Sequence, residues 1–121
     1  MLTRWTTIPL LDEEQISLLH EALGADEFKA IYSDFPTAAC AGLASVEIAV
    51  LQGDLDQAKR AAHAMKGVAS SFGAERLASI ACCIELEAES IAGLVPLMTM
   101  LGDTIEATNG LLQTLTQQDA D

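Results

Sequence analysis

Six apolar positions, Leu55, Ala58, Ala62, Met65, Ala69 and Phe72, recur in steps of 3, 4, 3, 4 and 3. A repeat of about 3.5 residues places them on one stripe of an α-helix, and no strand alternates that way. Asp54 stands just before the stripe and Gln57 three residues after it, a reciprocal capping pair that predicts a helix start at Asp54. Gly73 and Ala74 follow the last apolar position. They leave room only for a very short turn, so the next helix must run back antiparallel beside this one. The chain is therefore committed to packing helix on helix.

The other segments agree. A first helix is predicted from Asp12, with Gln15 in the capping position and Leu11 stapled on Ile16, ending near Gly24 and lying across one end of the fold. A second is predicted from Asp26 to Leu51, with Phe28, Ile31, Tyr32, Phe35, Ala39, Leu43, Val46 and Val50 as its stripe. Pro36 removes one backbone donor there, and a single bent helix is expected. After the Gly73–Ala74 turn, Leu77, Ile80, Ala81, Ile84, Ala88 and Ile91 make a helix that Gly93 should end. The last helix should begin near Pro96, a residue accepted in a first turn, and use Leu97, Leu101, Ile105, Thr108, Leu112 and Leu115. The fold class expected is all-α: an antiparallel four-helix bundle with a short additional N-terminal helix. All 121 residues should form one domain, with residues 1–11 as an N-terminal arm and 117–121 as a frayed tail.

Composition supports this reading and narrows the partners. Half the residues are apolar and only 4% are aromatic, which gives a core and favours helices over sheets. Eighteen acidic residues against six Lys and Arg leave a net charge of −12. Such a body repels nucleic acid and anionic membrane, so neither is expected as a partner, and a monomer is expected. Cys40, Cys82 and Cys83 have no framework spacing, and adjacent helical residues point about 100° apart. Reduced thiols and a cytoplasmic location are expected. Met1 to Leu11 lacks the apolar run of a signal peptide, and the apolar stretch from Ala38 to Leu51 is too short to span a bilayer.

The chemistry lies on the outer face of the Asp54–Gly73 helix, which carries Lys59, His63, Lys66, Gly67 and Ser70. Residues three and four apart are surface neighbours, so Lys59, Lys66 and Gly67 all flank His63. A glycine inside a helix costs about 1 kcal/mol relative to alanine. Gly67 is off the apolar seam, so its use is to clear space for an approaching surface. Lys59, Arg60, Lys66 and Arg76 are four of the six basic residues, and within positions 59–76 only Glu75 opposes them. A cationic patch around one exposed imidazole suits a phosphoryl group. For nucleophilic attack by Nε2 the proton must sit on Nδ1, held there by an acceptor. Glu85 is a candidate: His63 lies ten residues before Gly73 and Glu85 eleven after Ala74, so the two should face each other. His20 has no basic or small-residue company and reads as an ordinary surface residue.

The run His63-Ala-Met-Lys66-Gly67, followed by Gly73-Ala74, Leu77 and Ile84-Glu85, resembles the signature of histidine-containing phosphotransfer (HPt) domains. Gly53-Asp54 is similar to the break that precedes the histidine helix in that family, and Ile84 stands where leucine is commoner. The resemblance implies a phosphorelay intermediate. His63 would accept a phosphoryl group from a receiver-domain aspartyl phosphate and pass it to another receiver. Lys66 would neutralise phosphoryl oxygens, Gly67 would admit the partner, and Glu85 would orient the ring. Lys59, Arg60 and Ser70 would belong to the docking face, with Ile16 and Leu19 of the first helix adding apolar contact. Receivers of hybrid histidine kinases and of response regulators are the partners implied, acting in trans on a stand-alone domain. Mg²⁺ would be theirs; this chain should bind no cofactor and no metal.

There is no Gly-rich phosphate loop, so no ATP-dependent kinase activity is expected. The alternative is a helical adaptor that binds receivers without carrying phosphate, which would need His63 buried or dispensable. A metal site built from His63, Glu85 and Cys82 or Cys83 is disfavoured by Lys66 and by the absence of a Glu-x-x-His pair.

Overall fold

The computed structural model of the protein describes residues 3–119. Its regular structure is helical: α1 (Thr3–Thr6), α2 (Glu13–Leu23), α3 (Ala25–Tyr32), α4 (Phe35–Leu51), α5 (Leu55–Ser71), α6 (Glu75–Glu87) and α7 (Ile91–Asp119). No strand occurs among the described residues. α5 packs between α4 and α6, and α7 closes the ring against both. The connections 52–54, 72–74 and 88–90 are short, so α4 to α7 form the expected antiparallel four-helix bundle. α1 packs on α6, α2 on α3, and α3 on α7.

The apolar seam of α5 lies where its spacing places it. Ala58, Ala62, Met65 and Ala69 are fully buried, facing Val46 and Ala49 of α4 and Leu77, Ile80 and Ile84 of α6 in one core. Small residues let the helices approach closely: a methyl group built at Gly42 would meet the end of the Met65 side chain at 2.6 Å. The caps also hold. The Asp54 carboxylate accepts from the Gln57 amide at 3.0 Å, and that of Asp12 from the Gln15 amide at 3.2 Å.

Three boundaries differ from the expected ones. The segment from Asp26 to Leu51 is two helices, α3 and α4, separated at Ser33–Asp34. A proline ring in a continuous helix would strike the carbonyl four residues back, here that of Tyr32. With the break, Pro36 takes the second position of α4, where its missing donor costs nothing. As one span, Ala25–Leu51 is long and apolar enough to cross a membrane, yet Phe28, Tyr32, Phe35, Ala39, Val46 and Ala49 are buried in the core. Ile31, expected on the stripe, is exposed.

α6 ends at Glu87, six residues before Gly93, because Ala88 turns to extended backbone. Ser90 then starts α7: its hydroxyl accepts from the Gly93 amide at 3.0 Å. Pro96 is consequently inside α7 and not at its start. At the other end α7 continues through Asp119, so the backbone of 117–119 is helical where fraying was expected, and residues 120–121 lie outside the described part.

The N-terminal arm is strapped to the start of α6. The Arg76 guanidinium donates to the carbonyls of Ile8 (2.7 Å) and Thr6 (3.3 Å), and the Arg76 amide to that of Pro9 (3.0 Å). Trp5 and Leu11 of the arm are buried in the core. The arm also contains α1, which adds a helix to the single additional one expected. Arg76→Ala should cost about 2 kcal/mol, the scale of lost hydrogen bonds from a charged donor. A lower urea midpoint with an unchanged slope would check it.

Candidate functional site

The Phe72–Ala74 turn sets the register of α5 against α6. Gly73 has φ +68°, a left-handed conformation that favours glycine, and the Ala74 amide closes onto the Ala69 carbonyl at 2.8 Å. The turn is braced from outside. The Tyr32 hydroxyl donates to the Phe72 carbonyl at 2.8 Å, and the Asp12 amide to the Gly73 carbonyl at 2.8 Å. Burial pushes the Tyr32 phenol up to about 12, so it stays a neutral donor. Phe28, Tyr32, Phe35 and Phe72 form one aromatic cluster around it, with centroids 4.6 to 5.4 Å apart. His20 joins its edge, 5.0 Å from Phe28, which makes it a packing residue and not merely a surface one.

With that register, His63 and Glu85 meet across the α5–α6 interface. Nδ1 of His63 lies 2.5 Å from Oε2 of Glu85. The other oxygen, Oε1, accepts from Nζ of Lys66 at 2.8 Å. Both oxygens of one carboxylate are therefore engaged, one by each neighbour. An ionised carboxylate only accepts, so Nδ1 carries the proton in this contact, and in the neutral imidazole Nε2 then keeps its lone pair. The imidazole is 65% exposed, whereas Lys66 and Glu85 are 33% and 20% exposed. The imidazole faces solvent and its support is half-buried.

The Lys66 ammonium beside Glu85 holds that carboxyl below the usual carboxylate range, and His63 adds to the effect against the opposing pull of desolvation. Lys66 is correspondingly raised by its bond to Glu85, partly offset by desolvation. Of the residues expected on the outer face, Lys59 and Arg60 line a shallow depression of about 340 Å³ together with His63 and Glu85. Lys66 and Ser70 line a separate depression of about 300 Å³ on the α2 side, with Asp12, Gln15 and Cys82. Gly67 is exposed, and a methyl group built on it would meet nothing within 4 Å.

Two expectations are corrected here. Arg76 is not part of the cationic patch, because its guanidinium is spent on the arm's carbonyls. Ile16 is buried in the core, Leu19 is half-buried, and the large apolar side chain that α2 exposes is Leu18, 59% exposed. The Lys66–Glu85 pair was missed in the sequence. Its signal was the three-residue spacing of His63 and Lys66, which lets one acid on α6 reach both. Among the described residues no group of three His, Cys, Asp or Glu side chains converges as metal ligands. None of Cys40, Cys82 and Cys83 is joined in a disulfide.

The sequence profile of the Hpt domain matches residues 13–118, from the start of α2 almost to the end of α7. The chain belongs to the Hpt domain family. The fold is similar to the crystal structure of histidine-containing phosphotransfer protein B (HptB) from Pseudomonas aeruginosa PAO1, with a TM-score of 0.79 and 25% sequence identity. That match covers 91% of this chain and 96% of the other. No curated protein matches the sequence significantly. As an Hpt protein the chain is a histidine phosphotransfer protein of a phosphorelay, in a family of phosphoryl carriers that work with receiver domains.

The support of the ring has a defined pH range. A carboxyl with a lowered pKa contributes stability above its ordinary value of about 4.3, and loses it as pH falls through the lowered one. A lysine with a raised pKa contributes below about 10.4, and loses it as pH rises through the raised one. The His63–Glu85–Lys66 chain should thus persist on the acid side of ordinary glutamate titration. Carbon-detected NMR of the Glu85 carboxyl should give a midpoint below about 4.3, moved upward in Lys66→Met.

Proposed function

We propose that His63 is the phosphoryl-accepting residue, taking the group from the aspartyl phosphate of one receiver domain and passing it to the aspartate of another. In the first step the Nε2 lone pair attacks phosphorus. The Nε2–P bond forms, the P–O bond to the aspartate breaks, and the carboxylate leaves with its electron pair. The second step is the reverse on a new aspartate. Nδ1–H stays bonded to Glu85 throughout, so positive charge developing on the ring is met by a carboxylate already in place. The observation that carries this reading is the exposed imidazole whose Nδ1 is fixed by Glu85.

Lys59 and Arg60 share the depression beside the ring and supply positive charge to the phosphoryl oxygens. Gly67 keeps the surface next to His63 low enough for a receiver to dock, with Arg60 and Ser70 on the same exposed face. Mg²⁺ belongs to the receiver in this reading, and the chain acts as a monomer without a cofactor and without kinase activity toward ATP. A cytoplasmic place of work belongs to the same reading. The exposure of His63 also favours a carrier over an adaptor that binds receivers without phosphate.

The test is intact mass under neutral conditions after mixing with a phosphorylated receiver and Mg²⁺. The protein should gain one phosphoryl mass, acid-labile and alkali-stable, and His63→Gln should gain none. Tight receiver binding without any gain would establish the adaptor instead. Lys59→Glu should slow transfer about tenfold at low salt, with the defect shrinking as salt screens the patch. Gly67→Ala should add about 0.5–1 kcal/mol of stability by helix propensity, whereas Gly67→Gln should leave the bundle folded and impair transfer.

A further inference from the structure

Trp5 is the one tryptophan of the chain, and it is buried. It belongs to the arm, which precedes residues 13–118, the part that the Hpt profile matches. The Arg76 strap holds that arm on α6. Trp5 lines a cavity of about 460 Å³ at the corner where α6 passes into α7. Cys83 of α6 and Leu97 and Met100 of α7 share the lining, together with Glu87 and Glu89. Exposure grades along this wall. Trp5 and Cys83 are buried, Leu97 and Met100 are half-buried, and both glutamates are exposed. The cavity is therefore apolar inside and acidic at its mouth, and among the described residues no Lys, Arg or His lines it. It is separate from the histidine. Cys83 and Glu87 are one turn apart on α6, and Glu85, two residues from each, projects from the opposite side of the helix. The depression beside His63 shares none of its lining residues.

We propose that this cavity is a binding site for a small organic cation with an apolar body: the hydrocarbon part packs on Trp5, Leu97 and Met100, and the ammonium sits at the acidic mouth beside Glu89. The volume falls in the range of small-molecule sites, roughly 300–1,000 Å³. Removing hydrocarbon from water drives the binding, and an indole offers the largest apolar surface of any side chain. The charge of the ligand follows from the mouth. Glu89 attracts a cation there, Glu87 adds to the negative potential, and the net charge of −12 behind them repels an anion. A neutral head group gains nothing from either carboxylate. The indole also favours a cation over a neutral group, because the face of the ring is negative. The arm thus adds a ligand site to the domain besides bracing α6. The proposal is independent of the role of His63.

The experiment titrates the full chain with three probes that share one apolar body: 4-phenylbutylamine, protonated at neutral pH, 4-phenylbutan-1-ol and 4-phenylbutyrate. Trp5 fluorescence reports on this cavity, because the chain has no other tryptophan. Amide NMR shifts locate the bound probe. The amine should give a saturable change in Trp5 emission, with the shifted amides concentrated in residues 83–100. The alcohol should bind about fivefold more weakly, the scale of one exposed charge contact, and the butyrate should not bind. Glu89 is exposed, so Glu89→Lys should leave the helical circular dichroism unchanged. It should weaken the amine about tenfold, since attraction becomes repulsion, and leave the alcohol as it was. Equal affinity for amine and alcohol would overturn the proposal, as would an amine that binds Glu89→Lys as tightly as wild type. So would shifts that gather around His63, or emission that never saturates. Trp5 emission that changes with protein concentration alone would show a second copy filling the cavity, and would overturn it too.

Discussion

The turn at Phe72–Ala74 is the constraint on which the molecule depends. It is short, it contains a left-handed glycine, and it leaves α5 and α6 no freedom to slide. Everything that meets at the bottom of the bundle holds it: Tyr32 on the Phe72 carbonyl, Asp12 on that of Gly73, and Gln15 on that of Ser70 at 3.4 Å. Three turns up, the same register brings an imidazole on α5 to an acid on α6. A slip of one residue would rotate Glu85 by about 100° around its helix and separate it from His63. The aromatic cluster and the N-terminal strap are thus parts of the site, although they lie far from it.

The seam of α5, its caps and the antiparallel return were legible because each rests on local chemistry. Apolar spacing, a capping acid and a turn glycine report the helix they belong to. The pairing of His63 with Glu85 was legible for the same reason, since counting from a two-residue turn fixes which positions face each other. What could not be read was the competition between local signals. Pro36 is compatible with a bent helix and with a helix start, and only the packing of Phe28, Tyr32 and Phe35 decides for the start. Gly93 looked like an ending, but the Ser90 hydroxyl caps its amide and makes it part of a first turn. Arg76 counted as a surface cation by its position, yet three backbone carbonyls of the arm draw on it, and nothing local to it announces them.

The site divides its tasks between exposed and covered groups. The imidazole, which meets the partner in the proposed relay, is open to solvent, and the carboxylate and ammonium that hold it are more covered. Phosphoryl transfer needs little from the protein besides position and charge, and both are provided before any partner arrives. Gly67 leaves the surface beside the ring empty at the expense of helix propensity, which is the access the proposed transfer requires.

The distribution of charge has a consequence for how two molecules find each other. The chain carries a net charge of −12, yet Lys59 and Arg60 stand together beside His63. The positive charge beside the imidazole is therefore local, set on a body that is acidic as a whole. An anionic group approaching elsewhere meets mostly acidic surface, and one approaching the histidine meets two cations. In the proposed relay, tumbling in a partner's field would turn this face forward before contact and shorten the rotational search even where the final contact area is small.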